Sequence, residues 1–323
     1  MKEIGGYFGF EKFSGKEYHS DAVPLNNGRN ALYYLIKVKK IKKIYIPFYL
    51  CDSVSDLLEN KGCDFEYYKI QSDFWPDIDK NMGENEYLYV VNYYGQLSDG
   101  SIRELKSRYG NIIIDNIQAF FNRPLEGVDT IYSCRKYFGV PDGAYLATDK
   151  RMDDELAKDI SKNRMTHILG RFEGEASKYY DDYKEINSLY SEEPLKTMSN
   201  LTQNILRAID YNQVRITRDN NYEFLEKKLG KINKLHLSTP PGPFAYPFYI
   251  ENGIEIRKRL ALKKIYIPTL WPNVLSSNNE ETIEFQYAAN ILPLPCDQRY
   301  NLEDMKYMAE LLKENLIELS VKH

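Results

Sequence analysis

The segment IIIDNIQAFFNRPLEGVDTIYSCRK, residues 112–136, holds two apolar, β-branched runs that each end near a charged side chain. Asp115 follows the first run directly, and Lys136 comes just after the second. Such runs are typical of neighbouring strands in a parallel sheet, whose ligands bind at the carboxyl ends of the strands. A carboxylate buried there is costly unless it has a partner. The pattern predicts that Asp115 and Lys136 lie together at one edge of a sheet, unless Asp115 only caps a helix and Lys136 only faces solvent.

The composition excludes several classes of protein. The chain has 323 residues and a mass of 37.9 kDa, with 43% hydrophobic and 28% charged residues, which fits a folded protein with one large and one smaller domain. A net charge of −4 and a pI near 5.8 give no sign of the basic surface that binds nucleic acid, and the most basic run is short, residues 37–43. We therefore expect no nucleic-acid partner.

The cysteines and the N-terminus both indicate a soluble intracellular protein. Cys51, Cys63, Cys134 and Cys296 show neither CxxC spacing nor a neighbouring histidine pair, so we expect no disulfide framework and no metal site. The first ten residues lack the apolar core of a secretory signal, and no apolar run is long enough to span a bilayer. The expected location is the cytoplasm, without membrane attachment.

Residues 26–149 predict a mostly parallel sheet covered by helices. Short β-rich runs alternate here with amphipathic stretches, as they do in α/β proteins. The helix over residues 53–62 is expected to begin at a serine cap and to end at Gly62. The predicted strands are residues 43–50, ended by Pro47, and residues 64–70, 86–95, 111–115, 130–134 and 143–149; the predicted helices are residues 31–40, 53–62 and 101–110.

The second half of the chain predicts a surface segment, a long helix and a small domain. Residues 151–195 are polar and rich in tyrosine, so we expect them on the surface or across an opening. Ser199 is the expected N-cap of one long helix that links two domains, a large one of residues 1–230 and a small α+β one of residues 231–323. The small domain is predicted to contain strands at 244–250, 265–272 and 289–295 and helices at 253–264 and 301–319.

One turn in the sequence is a candidate phosphate site. The run GFEKFSGK at residues 9–16 resembles a P-loop, but its glycines are one residue too far apart, and the chain has no G-x-G-x-x-G for a dinucleotide. In LNNGRNAL, residues 25–32, a turn at Gly28 opens directly into a helix, whose free N–H groups favour an anion. Arg29 could add a charge-assisted contact. The alternative is a turn and cap without a ligand.

Together, these three features match the needs of pyridoxal 5′-phosphate (PLP). A lysine at a strand end can form a Schiff base with the cofactor's aldehyde. A strand-end aspartate can keep the pyridine nitrogen protonated, so that the ring acts as an electron sink, and a helix start can hold the phosphate. Lys136, Asp115 and the turn at Gly28 are the candidates for these roles.

The sequence resembles the DegT/DnrJ/EryC1/StrS family of PLP-dependent sugar aminotransferases. The runs that carry the resemblance occur in family order over most of the chain, and the most specific one is residues 115–143. These runs are GGYF, LNNGRNAL, IYIPFYLCDSV, VNYYG, IIIDNIQAF, YSCRKYFGVPDGAYL, MSNLTQNIL and LPLPCDQRY. The resemblance implies an α/β protein of PLP-dependent transferase fold type I, with a large, mostly parallel sheet domain and a smaller C-terminal α+β domain.

The resemblance also implies roles for individual residues. Lys136 would be the Schiff-base lysine and proton shuttle, Asp115 would pair with the pyridinium nitrogen, and Gln118 would contact the cofactor's phenolic oxygen. Either Tyr49 or Cys51 would stack on the ring. Residues implied at the phosphate are Gly28, Arg29, Asn30 and Ser133, with Ser199 or Asn200 reaching it from a partner chain. Arg299 could bind a carboxylate of the amino donor or only form a structural salt bridge.

The function that the resemblance implies is transfer of an amino group to a keto sugar. The substrate would be linked to a nucleotide, glutamate would be the donor, and the product would serve polysaccharide or natural-product biosynthesis. Family members are homodimers with shared active sites, so the partners would be small molecules and a second copy of the chain. Two alternatives remain: another PLP-dependent reaction on an amino acid, such as decarboxylation, lyase chemistry or transamination, and a non-catalytic nucleotide-binding scaffold.

Overall fold

An eight-stranded sheet forms the centre of the protein. The computed structural model describes residues 4–277 and 279–321. The strands of this sheet are β1 (Val23–Leu25), β2 (Lys43–Pro47), β3 (Asp64–Ile70), β4 (Pro76–Asp77), β5 (Glu86–Val91), β6 (Ile112–Asp115), β7 (Asp129–Ser133) and β8 (Ala144–Ala147). Their order is β1-β8-β7-β6-β5-β2-β3-β4. The five strands from β7 to β3 are parallel, whereas β1, β8 and β4 pair in antiparallel fashion at the ends.

Helices cover this sheet, and the predicted α/β fold class is confirmed. Every residue of β6 is buried, which is typical of a strand covered on both faces. A separate two-stranded sheet, β9 (Tyr246–Tyr249) with β10 (Ile291–Leu294), lies in the C-terminal part. The helices are α1 (Gly28–Lys39), α2 (Asp52–Lys61), α3 (Asp99–Tyr109), α4 (Thr166–Glu173), α5 (Tyr180–Leu189), α6 (Asn200–Leu206), α7 (Tyr211–Leu229), α8 (Gly253–Leu262), α9 (Ile283–Asn290) and α10 (Leu302–Val321).

Local capping chemistry sets where α1 and α2 begin. The side chain of Asn27 accepts a hydrogen bond from the N–H of Asn30 and so starts α1. The serine cap predicted for α2 is wrong: the helix begins earlier, with Cys51 as its N-cap and no side-chain hydrogen bond there. The N–H groups of the first turn of α2 are therefore left without a cap from that side chain. The predicted stop at Gly62 is correct.

The predicted long helix is two helices. After α6 the chain turns, and the carboxylate of Asp210 accepts a hydrogen bond from Gln213 N–H to start α7. A new cap inside an otherwise helical pattern ends one helix and begins the next, which the apolar spacing alone did not reveal. Ser199 does cap α6, since its hydroxyl accepts the N–H of Thr202 at 3.1 Å.

A second core lies under the C-terminal sheet. It contains Leu225 and Leu229 of α7 together with buried residues of β9, β10, α8 and α10. The division between domains near residue 230 stays a prediction, because α7 packs with the C-terminal elements.

The strand predicted at residues 265–272 is absent: these residues pair with no strand of the described chain, Lys264 and Trp271 have positive φ, and Pro268 has no N–H to donate. The strand predicted at 289–295 is shorter than expected. Its first two residues belong to helix α9, and the strand itself is β10.

The tyrosine-rich segment of residues 151–195 forms α4 and α5, and many of its side chains are exposed. Its inner edge touches the start of α1, where the amide of Asn30 donates to the carbonyls of Glu193 and Pro194. None of the helices in residues 4–277 and 279–321 is long and apolar enough to cross a membrane.

The turn after β5 requires glycine at Gly95. Its φ is 77°, and a Cβ there would lie 2.8 Å from the Cβ of Pro240. Gly62 also has a left-handed φ, 63°, but a Cβ there would meet nothing within 4 Å. A side chain at Gly62 would therefore add only backbone strain, whereas a side chain at Gly95 would add a steric clash as well.

We predict that Gly62→Ala lowers the free energy of unfolding by about 1 kcal/mol, because only the left-handed backbone is penalised. Gly95→Ala should lower it by about 2 kcal/mol or more, since overpacking adds to that strain. Urea denaturation followed by circular dichroism measures both. Equal losses for the two variants would contradict the close approach of Pro240.

Candidate functional site

A buried carboxylate ends strand β6 at the carboxyl edge of the sheet. Asp115 is 4% exposed, and its Oδ2 accepts a 2.7 Å hydrogen bond from the hydroxyl of Tyr89 on the neighbouring strand β5. Its Oδ1 accepts a 2.8 Å hydrogen bond from Ile117 N–H. Both oxygens are thus held by fixed donors, and the carboxylate has one orientation.

The electrostatic balance at Asp115 favours a cationic partner. Burial raises the pKa of Asp115 from 3.8 to about 6, although the hydrogen bonds of Tyr89 and Ile117 and the charge of Lys136 act to lower it. Lys136 is therefore within electrostatic range of this carboxylate. A positive group bound directly against Asp115 would be stabilised by it and would return its pKa towards the ordinary value.

Lys136 lies on a short turn that directly follows strand β7. The turn, Cys134–Lys136, is a single 3₁₀ turn, closed by hydrogen bonds to Cys134 C=O from Tyr137 N–H at 3.0 Å and from Phe138 N–H at 2.9 Å. The Lys136 side chain is exposed, while Ser133, the last residue of β7, is half-buried beside it. Because β6 and β7 are parallel neighbours, Asp115 and Lys136 lie at the same edge of the sheet.

Gln118 offers an amide donor in the loop after Asp115. The side chain is 6% exposed, and its Oε1 accepts a 2.9 Å hydrogen bond from Tyr94 N–H. That bond fixes which end of the amide faces the backbone, so the Nε2 group is the end that remains to donate. An oxygen of a bound group is the partner that such a donor fits.

The start of α1 lies against the same loop. A Cβ on Gly28 would come within 3.3 Å of Cδ1 of Ile117, two residues after Asp115. The N–H groups of Gly28 and Arg29 are among the first of the helix, which have no intrahelical acceptor. The side-chain amide of Asn30, in contrast, already donates hydrogen bonds to Asn26, Glu193 and Pro194. The backbone of the first turn is therefore better placed to bind an anion than the Asn30 side chain.

Two guanidinium groups lie near this helix start. Burial lowers the pKa of Arg29, while Cys51 and Asp56 raise it. Burial also lowers the pKa of Arg135, and the charges of Arg29 and Arg164 add to that effect. The charge of Arg29 thus acts on Arg135, and an anion bound near both groups would offset their repulsion.

Arg135 was not singled out from the sequence. Its guanidinium lies 3.6 Å from the centroid of the Tyr190 ring and donates to Asn187 Oδ1 at 2.8 Å, so α5 holds it. Its position beside Lys136, at a strand end, was the available signal. Tyr89 was missed as well, because only the pairing of β5 with β6 brings its hydroxyl to Asp115.

The two candidates for stacking on a bound ring differ in exposure. Tyr49 is 1% exposed, and its ring packs within an aromatic cluster that includes Tyr93 and Trp271. Cys51 is exposed at the start of α2. Cys51 also lines a cavity of about 330 Å³, whose other lining residues are Ile46, Phe48, Leu50, Asp52, Ser55, Tyr67, Asn273 and Ser276.

Asn200 and Arg299 both have partners within the chain. The Oδ1 of Asn200, which is exposed, accepts a 2.9 Å hydrogen bond from Lys158. Arg299 makes two hydrogen bonds to Asp297, at 2.7 and 2.8 Å, which raise the pKa of Arg299. A substrate carboxylate at Arg299 would have to compete with that pair.

The fold is that of the PLP-dependent transferases of fold type I, and solved structures that share it include sugar aminotransferases. DesV from S. venezuelae, solved with a ketimine intermediate, is 15% identical, with 91% of this chain and 84% of that chain covered and a TM-score of 0.62. NtdA from Bacillus subtilis, solved with bound PMP, is 15% identical, with 94% and 78% covered and a TM-score of 0.66. The DegT DnrJ EryC1 StrS aminotransferase from Brucella abortus is 14% identical, with 91% and 85% covered and a TM-score of 0.60. Neither the protein-family models nor the curated proteins searched include a match to the sequence.

The raised pKa of Asp115 gives a prediction for the protein without a ligand. Between about pH 4 and pH 6 the folded protein binds this proton more tightly than the unfolded chain, so the contribution of Asp115 to the free energy of unfolding falls as pH rises. The difference in unfolding free energy between wild type and Asp115→Asn should therefore fall by about 2 kcal/mol from pH 4 to pH 7. Urea denaturation of both proteins across this range measures it, and a difference independent of pH would contradict the burial of an unpaired carboxylate.

Proposed function

We propose that the protein is a PLP-dependent aminotransferase that converts a keto group on a nucleotide-linked sugar to an amine. The observation that carries this proposal is the buried Asp115 carboxylate, which faces the same sheet edge as Lys136 and the start of α1. A fixed carboxylate, an amine and an anion site are together the groups that this cofactor needs.

The side chains present fit the cofactor. Asp115 has a raised pKa and would be stabilised by a pyridinium N–H, and the free Nε2 of Gln118 suits a phenolate oxygen. The first N–H groups of α1, the guanidinium of Arg29 and the hydroxyl of Ser133 suit a phosphate dianion. Arg135 would add a second guanidinium there. When bound, PLP supplies an electron sink for the carbon that loses or gains a proton.

Lys136 would hold the cofactor and move the proton. Its Nζ would bind the cofactor covalently at rest and, once released by the amino donor, would take a proton from one carbon and return it to another. Asp115 would stay ionised against the pyridine nitrogen and hold the ring in place. Cys51, exposed at the start of α2, would lie against the ring, since the Tyr49 side chain is packed elsewhere.

Two features of the chain support a sugar over an amino acid as acceptor. The cavity beside Cys51 combines aromatic rings with carboxylate, amide and hydroxyl groups, which suits a sugar ring with its hydroxyls. Arg299 is already paired with Asp297, which disfavours the reading in which it binds an amino-acid carboxylate. The similar structure of DesI was solved in the presence of its TDP-sugar product. Glutamate remains the proposed donor, and a role in polysaccharide or natural-product biosynthesis follows from the substrate class.

We also propose that the protein works as a homodimer in the cytoplasm. Its four cysteines are unpaired, as expected in a reducing compartment. Apolar side chains are exposed near the N-terminus and on α4, including Phe8 at 98% and Phe172 at 87%. Exposed apolar groups of this size favour burial against a second copy. Asn200, at the start of α6, is the proposed contribution of the partner to the phosphate site.

Lys136→Ala should lower the rate of amino transfer from glutamate roughly 100- to 10,000-fold, the range expected when a positioned acid-base group is lost. The assay follows 2-oxoglutarate formation with a TDP-linked keto sugar. Lys162→Ala is a matched control, because Lys162 is also exposed in a short 3₁₀ turn but lies outside the proposed site. A Lys136→Ala protein that keeps more than a tenth of the wild-type rate would refute the assignment.

Phe8→Ser and Phe172→Ser should each weaken self-association by removing apolar area from the interface. Sedimentation velocity over a range of concentrations measures the change. Leu262→Ser is the control, because Leu262 is equally exposed, at 84%, but lies on α8 in the C-terminal part. The proposed interface would be wrong if the Leu262 variant dissociated and the two phenylalanine variants did not.

A further inference from the structure

The backbone next to Lys136 is held by two side chains from other parts of the chain. The carbonyl of Tyr137 accepts a 2.7 Å hydrogen bond from Nε2 of Gln298 and a longer one, 3.4 Å, from Nη2 of Arg218. Gln298 follows β10 and Arg218 lies on α7, so both belong to the C-terminal half of the protein. The turn that carries Lys136 is therefore fixed from outside its own sheet.

Arg218 is an unusual residue to find in this position. It is 1% exposed, yet the hydrogen bonds that it makes within the described chain go to neutral oxygens rather than to a carboxylate. Its Nε donates to Oε1 of Gln298 at 2.8 Å, and its guanidinium lies 4.4 Å from the ring centroid of Tyr137. A buried charge of this kind is costly, and it is stabilised here because each of the three guanidinium nitrogens donates to a fixed acceptor.

The Gln298 amide connects the other two groups and can adopt only one orientation. Its oxygen accepts from Arg218, and its nitrogen donates to the carbonyl of Tyr137. Glutamate would keep the acceptor for Arg218 but lose the donor to Tyr137. The hydrogen bond to the Tyr137 carbonyl therefore needs glutamine at position 298. The hydrogen bond from Arg218 could be made to either glutamine or glutamate.

The Lys136 side chain is exposed. Its direction depends mainly on the backbone of the turn, which the Cys134 carbonyl closes from one side and the Tyr137 carbonyl anchors on the other. Loss of the anchor would let the turn open while leaving the sheet intact. Small misplacements of this kind can cost large factors in rate.

We propose that Gln298, supported by Arg218, is a positioning residue that holds the Lys136 turn in its reactive geometry. The proposal rests on the proposed function only in making Lys136 the reactive amine. The C-terminal part of the chain would thus help to set the position of Lys136. The role of Gln298 differs from that of its neighbour Arg299, which pairs with Asp297.

The test compares Gln298→Glu and Gln298→Ala with the control Gln286→Ala. Gln286 also donates a 2.7 Å hydrogen bond to a backbone carbonyl, that of Glu280, and accepts one from Asn290, but it lies on α9 away from the turn. The first readout is the rate at which acetic anhydride modifies Lys136 in the protein without cofactor, followed by mass spectrometry. The second is the turnover number and the KM for glutamate after loading with PLP, and thermal unfolding accompanies both.

Both Gln298 variants should change the acetylation rate of Lys136 about fivefold, the change implied by losing one hydrogen bond in the turn. Turnover should fall roughly 10- to 100-fold with little change in KM. Gln298→Glu should stay closer to the thermal midpoint of the wild type than Gln298→Ala does, because its carboxylate still accepts a hydrogen bond from buried Arg218. This variant therefore separates a positioning defect from unfolding.

The proposal is overturned if Gln298→Glu leaves the acetylation of Lys136 unchanged, or if Gln286→Ala alters it equally. It is also overturned if the loss of turnover in the Gln298 variants only follows the loss of thermal stability. A wild type that binds no PLP would remove the proposed function but would leave the acetylation result to decide the role of Gln298. The two failures are thus distinguishable.

Discussion

The site depends on the burial of one carboxylate at the end of a central strand. Asp115 is held by the hydroxyl of Tyr89 and by the N–H of Ile117, and burial still raises its pKa to about 6. A chain gains little from such a group unless a cation completes it. Two features bring other groups to this carboxylate: a parallel neighbour places Lys136 at the same edge, and Ile117 lies so near the start of α1 that a Cβ on Gly28 would come within 3.3 Å of it.

Groups of both charge signs lie near this edge of the sheet. Asp115 supplies a carboxylate, while the first N–H groups of α1 and the guanidinium groups of Arg29 and Arg135 are of positive character. Gln118 adds a donor whose orientation is fixed by Tyr94 N–H. The C-terminal elements contribute through Gln298, which reaches the backbone beside Lys136.

Much of this arrangement could be predicted from local sequence, and the parts that could not are long-range. Runs of β-branched residues identified β6 and β7, and the turn predicted at Gly28 marked the start of α1, although the helix itself was predicted only from residue 31. The hydroxyl of Tyr89 could not be assigned to Asp115 without the pairing of two strands, and Gln298 lies more than 150 residues from its acceptor. The strand predicted at 265–272 was wrong because β propensity says nothing about whether a partner strand is present. The single long helix was wrong because Asp210 caps a new helix inside a helical pattern.

The most direct test of the account is to reduce the PLP-treated protein with borohydride and to map the modified peptide by mass spectrometry. We expect a pyridoxyl group on Lys136, in the peptide that follows β7, and a strong loss of this modification in Asp115→Ala, because the ring is no longer held. Modification of scattered surface lysines without enrichment at Lys136, or none at all, would contradict the central claim that this sheet edge is a PLP site.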